Sequence, residues 1–259
     1  MKLQNLHLRN FRCFEDLDIS FHDQLTVIVG ENGAGKTAIL EASAVAIGTF
    51  LYSMKGINYG LKRTDAHNKY FNIGSSIDIQ PQYPVEVQAS GIVDGKHIRW
   101  ERTLNSENGK TTVIGAKDMT LISEQYQNRM MKGDLSLRMP IVAYYGTGRL
   151  WDYHREKKID TFRKSNRSNG YIDCLDGTAN VKLMLNWFKN MAYADGQIQK
   201  PSAEFAAVRG AMEKCFALMT GIDDVHVQFN PFTAEIEISY IDGKESARIP
   251  LNQMSDGYK

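Results

Sequence analysis

The chain has 259 residues, 42% of them apolar and 24% charged, a balance that excludes collagen-like and wholly disordered classes. Its 31 basic and 30 acidic residues leave a formal net charge of +1, so nucleic-acid contact would need a local patch. Cys13, Cys174 and Cys215 form no CxxC pair, which excludes a disulfide framework and a zinc ribbon and suits a reducing compartment. No apolar run approaches the ~20 residues that span a bilayer, and no signal-peptide core opens the chain, so a cytoplasmic protein without membrane contact is expected.

In chain order, Leu6 and Leu8 alternate with polar neighbours and Leu17 and Ile19 repeat the pattern, which predicts two half-exposed strands. Leu25-Thr26-Val27-Ile28-Val29 is continuous, apolar and β-branched, and predicts a strand buried on both faces. It runs into Gly30-Glu31-Asn32-Gly33-Ala34-Gly35-Lys36-Thr37, which matches GxxxxGK[ST], the Walker A phosphate loop. Ile39 to Ile47 is rich in helix formers, with Leu40, Ala44, Ile47 and Leu51 on one stripe.

The chemistry explains these residue types. Glycines let the backbone curl around a polyphosphate and aim successive N–H groups at its oxygens. The following helix adds its positive end. Lys36 supplies a cation for the β- and γ-phosphates, and the Thr37 hydroxyl is placed to ligate Mg²⁺. The expected nucleotide-binding set is Gly30, Asn32, Gly33, Ala34, Gly35, Lys36 and Thr37, with ATP and Mg²⁺ as cofactors.

Residues 56–82 are polar and weakly patterned, and read as an insertion or mobile loop. Val85 to Ala89 and His97 to Arg102 alternate around Asp94-Gly95-Lys96, an antiparallel hairpin that residues 111–114 would extend. Residues 119–132 read as a short helix, and Pro140 to Tyr145 as a strand leading into Gly146-Thr147-Gly148-Arg149. Arg149, Arg155, Lys157, Lys158, Arg163, Lys164 and Arg167 then stand against three acids, with Trp151, Tyr153 and His154 among them. They form either a nucleic-acid or partner surface or a solvated charged loop. Arg149, following a strand, is the member expected to point at the nucleotide. Two helices follow, about 178–193 and 202–220. In the second, Phe205, Val208, Met212, Cys215 or Phe216, and Met219 mark a core stripe. Val225 to Phe229 and Ile236 to Ile241 alternate as a hairpin. The six histidines are scattered, with no HxH or HxxxH, so no metal site besides Mg²⁺ at Thr37 is expected.

Leu6 to Phe14, Leu25 to Thr37 and Leu40-Glu41-Ala42 together resemble the opening of SMC/RecF-type ABC ATPases, whose first strand ends in an Asn-Phe-Arg-type triplet and whose loop reads G-x-N-G-x-G-K-T. Met254-Ser255-Asp256-Gly257-Tyr258 resembles the family's signature motif. The resemblance implies an α/β P-loop NTPase of the RecF/SMC-like head type, with an antiparallel β-subdomain and a helical subdomain. It divides the chain into a P-loop core with β-subdomain (1–150), a basic linker and helical subdomain (151–248) and the signature (249–259). It implies that Arg12 lies beside the nucleotide, and that Ser255, Asp256 and Gly257 grip the γ-phosphate of a second copy, making an ATP-dependent homodimer. Asp256, where transporters have Gly, favours the RecF-like and OLD-like branches. The whole is similar to Septu-type (PtuA-like) and OLD-like defence ATPases, which gate a fused or HNH-type nuclease.

Hydrolysis in that family needs four apolar residues followed by Asp and Glu. Ser239-Tyr240-Ile241-Asp242 is followed by Gly243-Lys244 and reads as a hairpin turn, and Gly170 to Asp173 is too short. No catalytic acid is therefore expected within these residues. The pair is expected after Lys259, with the chain as the N-terminal part of a longer ATPase that turns over negligibly alone. No Gln ends the strand at Tyr145, so no Q-loop is assigned. A nucleotide-dependent scaffold that does not hydrolyse, and a P-loop small-molecule kinase, are the alternative readings.

Overall fold

A computed structural model describes residues 1–54, 57, 59–150, 167–178, 180–199, 202–242 and 245–254. They divide into two compact units, Met1–Tyr145 with Ser165–Asp176, and Gly146–Lys164 with Gly177–Lys259.

The first unit is built on an antiparallel sheet of β1 (Lys2–Phe11), β2 (Phe14–Ser20), β5 (Val85–Val93) and β6 (Lys96–Leu104), in the order β2-β1-β5-β6. Period-two alternation fixes its register, because a slip by one residue would turn each apolar set to water. Leu17, Leu8, Val87 and Arg102 align across one row, and Ile19, Leu6, Ala89 and Trp100 across another. Helix α1 (Lys36–Gly48) packs on this face through Ala38, Ala42, Ala44 and Val45, and the Trp100 indole donates to the Ala46 carbonyl at 2.9 Å. The small residues let helix and sheet approach closely. Leu40, expected on the buried stripe, is instead exposed, and Ile39 is buried.

Arg102 stands buried within the apolar row. Its Nε donates to the Thr112 carbonyl (3.1 Å), and Nη1 to Thr49 Oγ1 and the Tyr59 carbonyl (3.3 Å each). The Tyr52 ring lies 5.9 Å away. Burial pushes the guanidinium below its ordinary value, and these neutral acceptors keep it satisfied. One side chain thus ties the sheet, the end of α1 and the segment at Tyr59 together.

Within 56–82, expected as loop, β3 (Asn68–Ile73) pairs with β4 (Ser76–Pro81) in a two-stranded hairpin. Its Tyr70, Ile73, Ile77 and Ile79 are exposed, so no buried face gave the pattern away. Residues 111–114 make one bridge, Thr112 to Thr103, before a 3-10 turn and α2 (Lys117–Met131). Leu25–Val29 departs furthest from expectation. It pairs with no described strand, and Leu25, Val27 and Val29 are 73%, 72% and 88% exposed. Pro140 to Tyr145 likewise joins no described strand, its Tyr144 N–H donating instead to the Cys174 carbonyl at 2.8 Å, with Val142 and Tyr144 turned to the core and Ile141 outward. A strand buried on both faces needs a sheet beside it and layers packed over it, and the described residues supply neither for Leu25–Val29.

In the second unit α3 (Val181–Ile198) and α4 (Ala203–Thr220) pack on β7 (Val225–Asn230), β8 (Glu235–Asp242) and β9 (Glu245–Pro250). Asn180 and Ser202 cap the two helices by accepting from the Leu183 and Phe205 N–H groups. Trp187, Phe188 and Phe205 meet edge to face. Of the expected α4 stripe, Phe205 and Phe216 are buried and Met212 packs beside them, whereas Val208, Cys215 and Met219 are exposed. Register sets Asp242 opposite Glu245, as a hairpin requires. Among the described residues no helix is long and apolar enough to cross a membrane.

Two outcomes follow from the packing. Leu8→Ala, at a fully buried site, lowers unfolding free energy by about 2–5 kcal/mol, measurable by urea denaturation with circular dichroism. Burial, then the Asp173 charge, pushes the Cys174 thiol up to about 11, while Cys13 and Cys215 are exposed. Alkylation at about pH 8 followed by peptide mapping therefore labels Cys13 and Cys215 and spares Cys174.

Candidate nucleotide-binding site

Helix α1 starts without a side-chain cap. Gly35 occupies the capping position at φ 86°, no side chain accepts from the first turn, and no acid lies within it. The leading N–H groups and the positive helix end are thus left for an anion. Gly33 also sits in the left-handed region, at φ 87°, which curls the loop ahead of the helix. The Ala34 N–H closes a turn on the Glu31 carbonyl at 3.2 Å. Lys36 reaches back over the loop, and its Nζ donates to the Gly30 and Glu31 carbonyls at 2.6 Å each. Two neutral acceptors hold this ammonium, which a polyphosphate outcompetes by charge. Asn32 and Thr37 are exposed at the loop tip and in the first helical turn. These groups fit a polyphosphate in charge and in hydrogen-bonding capacity.

The β1–β2 turn closes one side of the loop. A Cβ on Gly35 would fall 2.6 Å from Cys13 Sγ and collide with the Phe14 ring. Arg12 precedes those two residues, with its own backbone left-handed at φ 53°. Its N–H donates to the Asp65 carbonyl (2.7 Å), and its carbonyl contacts His67 Nδ1 (2.6 Å). The guanidinium is held by two acids: Nε donates to Asp65 Oδ1 at 2.9 Å, and Nη2 donates to Glu41 Oε2. Burial pulls hardest, and downward, on this guanidinium, but Asp65 and then Glu41 outweigh it and hold the group above its ordinary value. Tyr144 is raised by burial first and then by the Glu41 charge, with Arg12 opposing. Burial and Glu41 likewise raise Tyr59.

The structure therefore places Arg12 in the turn whose Cys13 and Phe14 pack on Gly35, with Asp65 and Glu41 on its guanidinium and Tyr59 and Tyr144 close enough to feel the Glu41 charge. Glu41 had a signal in its spacing, five residues past Lys36 on the same helix. Asp65 had none, lying in a stretch without periodicity. Ser255, Asp256 and Gly257 lie outside the described residues, as do Arg155, Lys157, Lys158, Arg163, Lys164 and the side chain of Arg149. Arg167 is described. Its guanidinium donates to the Asp134 and Leu137 carbonyls at 2.7 and 2.5 Å, fastening the segment after α2.

The chain matches the AAA_23 family, an AAA domain, over residues 5–210. It is 24% identical over 200 residues to the Retron Vc95 probable ATPase of Vibrio cholerae serotype O1 biovar El Tor, an alignment covering 74% of this chain and 37% of that protein. Over 42 residues it is 52% identical to the DNA replication and repair protein RecF of Lactococcus lactis subsp. cremoris, covering 16% of this chain and 12% of RecF. Over 53 residues it is 47% identical to the OLD nuclease of Thermus scotoductus, covering 20% of this chain and 10% of the nuclease. The chain thus spans little more than a third of the first of these relatives and far less of the others. A match over most of its length settles the assignment: the chain belongs to the AAA_23 family of AAA domains, with the α/β P-loop fold of SMC/RecF-type ATPases.

Proposed function

We propose that this chain is the nucleotide-gripping part of an ATP-dependent, dimerising ABC-type ATPase head that gates an associated nuclease. The observation that carries the reading is the uncapped start of α1 with Lys36 folded over its own loop. A triphosphate would take the N–H groups of Gly33 to Thr37, Ala34 exchanging its bond to the Glu31 carbonyl, draw Lys36 Nζ from the two carbonyls and bring Mg²⁺ to the Thr37 hydroxyl. Held by the Thr37 hydroxyl, a magnesium ion would supply screening of the phosphate charge. Ser255, Asp256 and Gly257 of a second copy would close over the γ-phosphate, so that ATP joins two chains. The Retron ATPase and the OLD nuclease among the relatives favour a role in defence with a nuclease, fused or HNH-type. Of Arg149 to Arg167, the six residues through Lys164 are the candidates for a nucleic-acid or partner contact, since Arg167 is engaged by backbone carbonyls.

This reading gives the chain the grip and not the cleavage. Among the described residues no apolar strand ends in an Asp-Glu pair. Purified residues 1–259 should therefore bind ATP yet release phosphate no faster than the uncatalysed background in a malachite-green assay. Lys36→Ala removes the only ammonium that the loop itself supplies and lowers ATP affinity about a hundredfold or more by titration calorimetry. Gly35→Ala forces a Cβ against Cys13 and Phe14 at a left-handed position and is expected to abolish binding in the same titration. Unaltered affinity in both variants would contradict the site.

A further inference from the structure

The two carboxylates on Arg12 are not equivalent. Asp65 is buried, its side chain only 4% exposed, and both its oxygens are used. Oδ1 accepts from Arg12 Nε, and Oδ2 accepts from the Lys62 N–H at 2.8 Å. Around it the Arg12 N–H is bonded to the Asp65 carbonyl, the His67 N–H to the Asn10 carbonyl, and Phe11 bridges to Ala66. Asp65 is therefore fixed to the backbone of the β1–β2 turn. Glu41 is different. It belongs to α1, about one and a half turns past Lys36, and it meets Arg12 through Nη2 alone, a nitrogen it shares with Asp65 Oδ1 at 2.9 Å, with a side chain 24% exposed. One guanidinium facing two acids leaves the cluster a net negative charge next to an anion site, which opposes a polyphosphate.

We infer that Asp65 and Glu41 are opposed positioning residues for Arg12. Asp65 holds the guanidinium beside the phosphate loop, and Glu41 occupies the Nη2 edge until a nucleotide phosphate displaces it. The inference rests on the proposed nucleotide grip and adds a regulated step to it. Three features favour an exchange rather than a permanent ion pair. Asn10 and Arg12 both adopt left-handed backbone (φ 50° and 53°), an unfavourable geometry held at the turn that carries the guanidinium. The neighbouring Cys13 and Phe14 press on Gly35, so the turn cannot withdraw from the loop without opening that contact. The Glu41 carboxylate lies close enough to the Tyr59 and Tyr144 phenols for its charge to raise both, so Arg12 is not the sole polar group in its surroundings.

The test measures ATP affinity of the 259-residue chain by calorimetry, with thermal melts on every variant. Asp65→Asn keeps the acceptor for the Lys62 N–H but loses the charge that anchors Arg12, and weakens ATP by about tenfold. Glu41→Gln removes the competitor and tightens ATP several-fold. A merely structural pair would shift both variants the same way, in step with melting temperature. In an Arg12→Ala background both effects should vanish, which ties them to the guanidinium. The inference is overturned if Glu41→Gln weakens binding, or if either variant shifts affinity equally without Arg12. Should Lys36→Ala abolish binding while Glu41→Gln and Asp65→Asn bind like the unsubstituted chain, the exchange is wrong and the phosphate-loop reading stands. Failure of the unsubstituted chain to bind ATP would overturn both.

Discussion

A helix that begins on glycine, with no oxygen offered to its first N–H groups, holds a small positive pole open at the protein surface. At Gly35 that pole has an ammonium beside it rather than an acid, because Lys36 lies across the Gly30 and Glu31 carbonyls. Such an arrangement concentrates positive charge and unsatisfied donors in one place, and only an anion with several oxygens meets both demands together. The rest of the first unit serves to keep that pole where it is. The sheet of β1, β2, β5 and β6 buries the small-residue face of α1, and the Trp100 indole and Arg102 guanidinium pin its far end at Ala46 and Thr49. With its far end bonded and its flank packed, the helix cannot easily recoil when a multiply charged ligand docks at the other end.

The β1–β2 turn links this scaffold to the chemistry. Its strands are set by the inner rows through Leu6 and Leu8, while its tip touches Gly35 with Cys13 and Phe14 and carries Arg12. Two acids from distant parts of the chain converge on that arginine, one from the helix that starts at the phosphate loop and one from the segment before β3. A change of partner at Arg12 would thus be felt both along α1 and, through the Asp65 backbone, in the segment Lys62 to His67.

Much of this was legible in the residues alone, where a local rule decided the outcome. Alternation placed β1, β2, β5, β6, β7 and β8, turn chemistry at Asp94-Gly95 closed a hairpin, and helix-forming runs gave α1 to α4 close to their observed bounds. The phosphate loop was legible because its glycines are required by backbone geometry, at Gly33 and Gly35, whatever packs against them. Elsewhere the outcome depended on partners. Leu25–Val29 has the composition of a doubly covered strand, yet composition cannot say which strands cover it, and among the described residues none does. The β3–β4 hairpin buries no face, so it left no periodic trace, and Leu40 lost its expected place because α1 turns its alanines to the sheet. Asp65 and Arg102 were invisible for a related reason. A charged residue buried by long-range hydrogen bonds looks in sequence like any surface charge.

The central claim is that the start of α1 and Lys36 together receive a triphosphate. A crystal structure of the chain with magnesium and a non-hydrolysable ATP analogue tests it most directly. The account predicts phosphate oxygens on the N–H groups of Gly33 to Thr37, with Lys36 Nζ moved from the Gly30 and Glu31 carbonyls onto the β- and γ-phosphates. An analogue bound elsewhere, with Lys36 still on those two carbonyls, would contradict it.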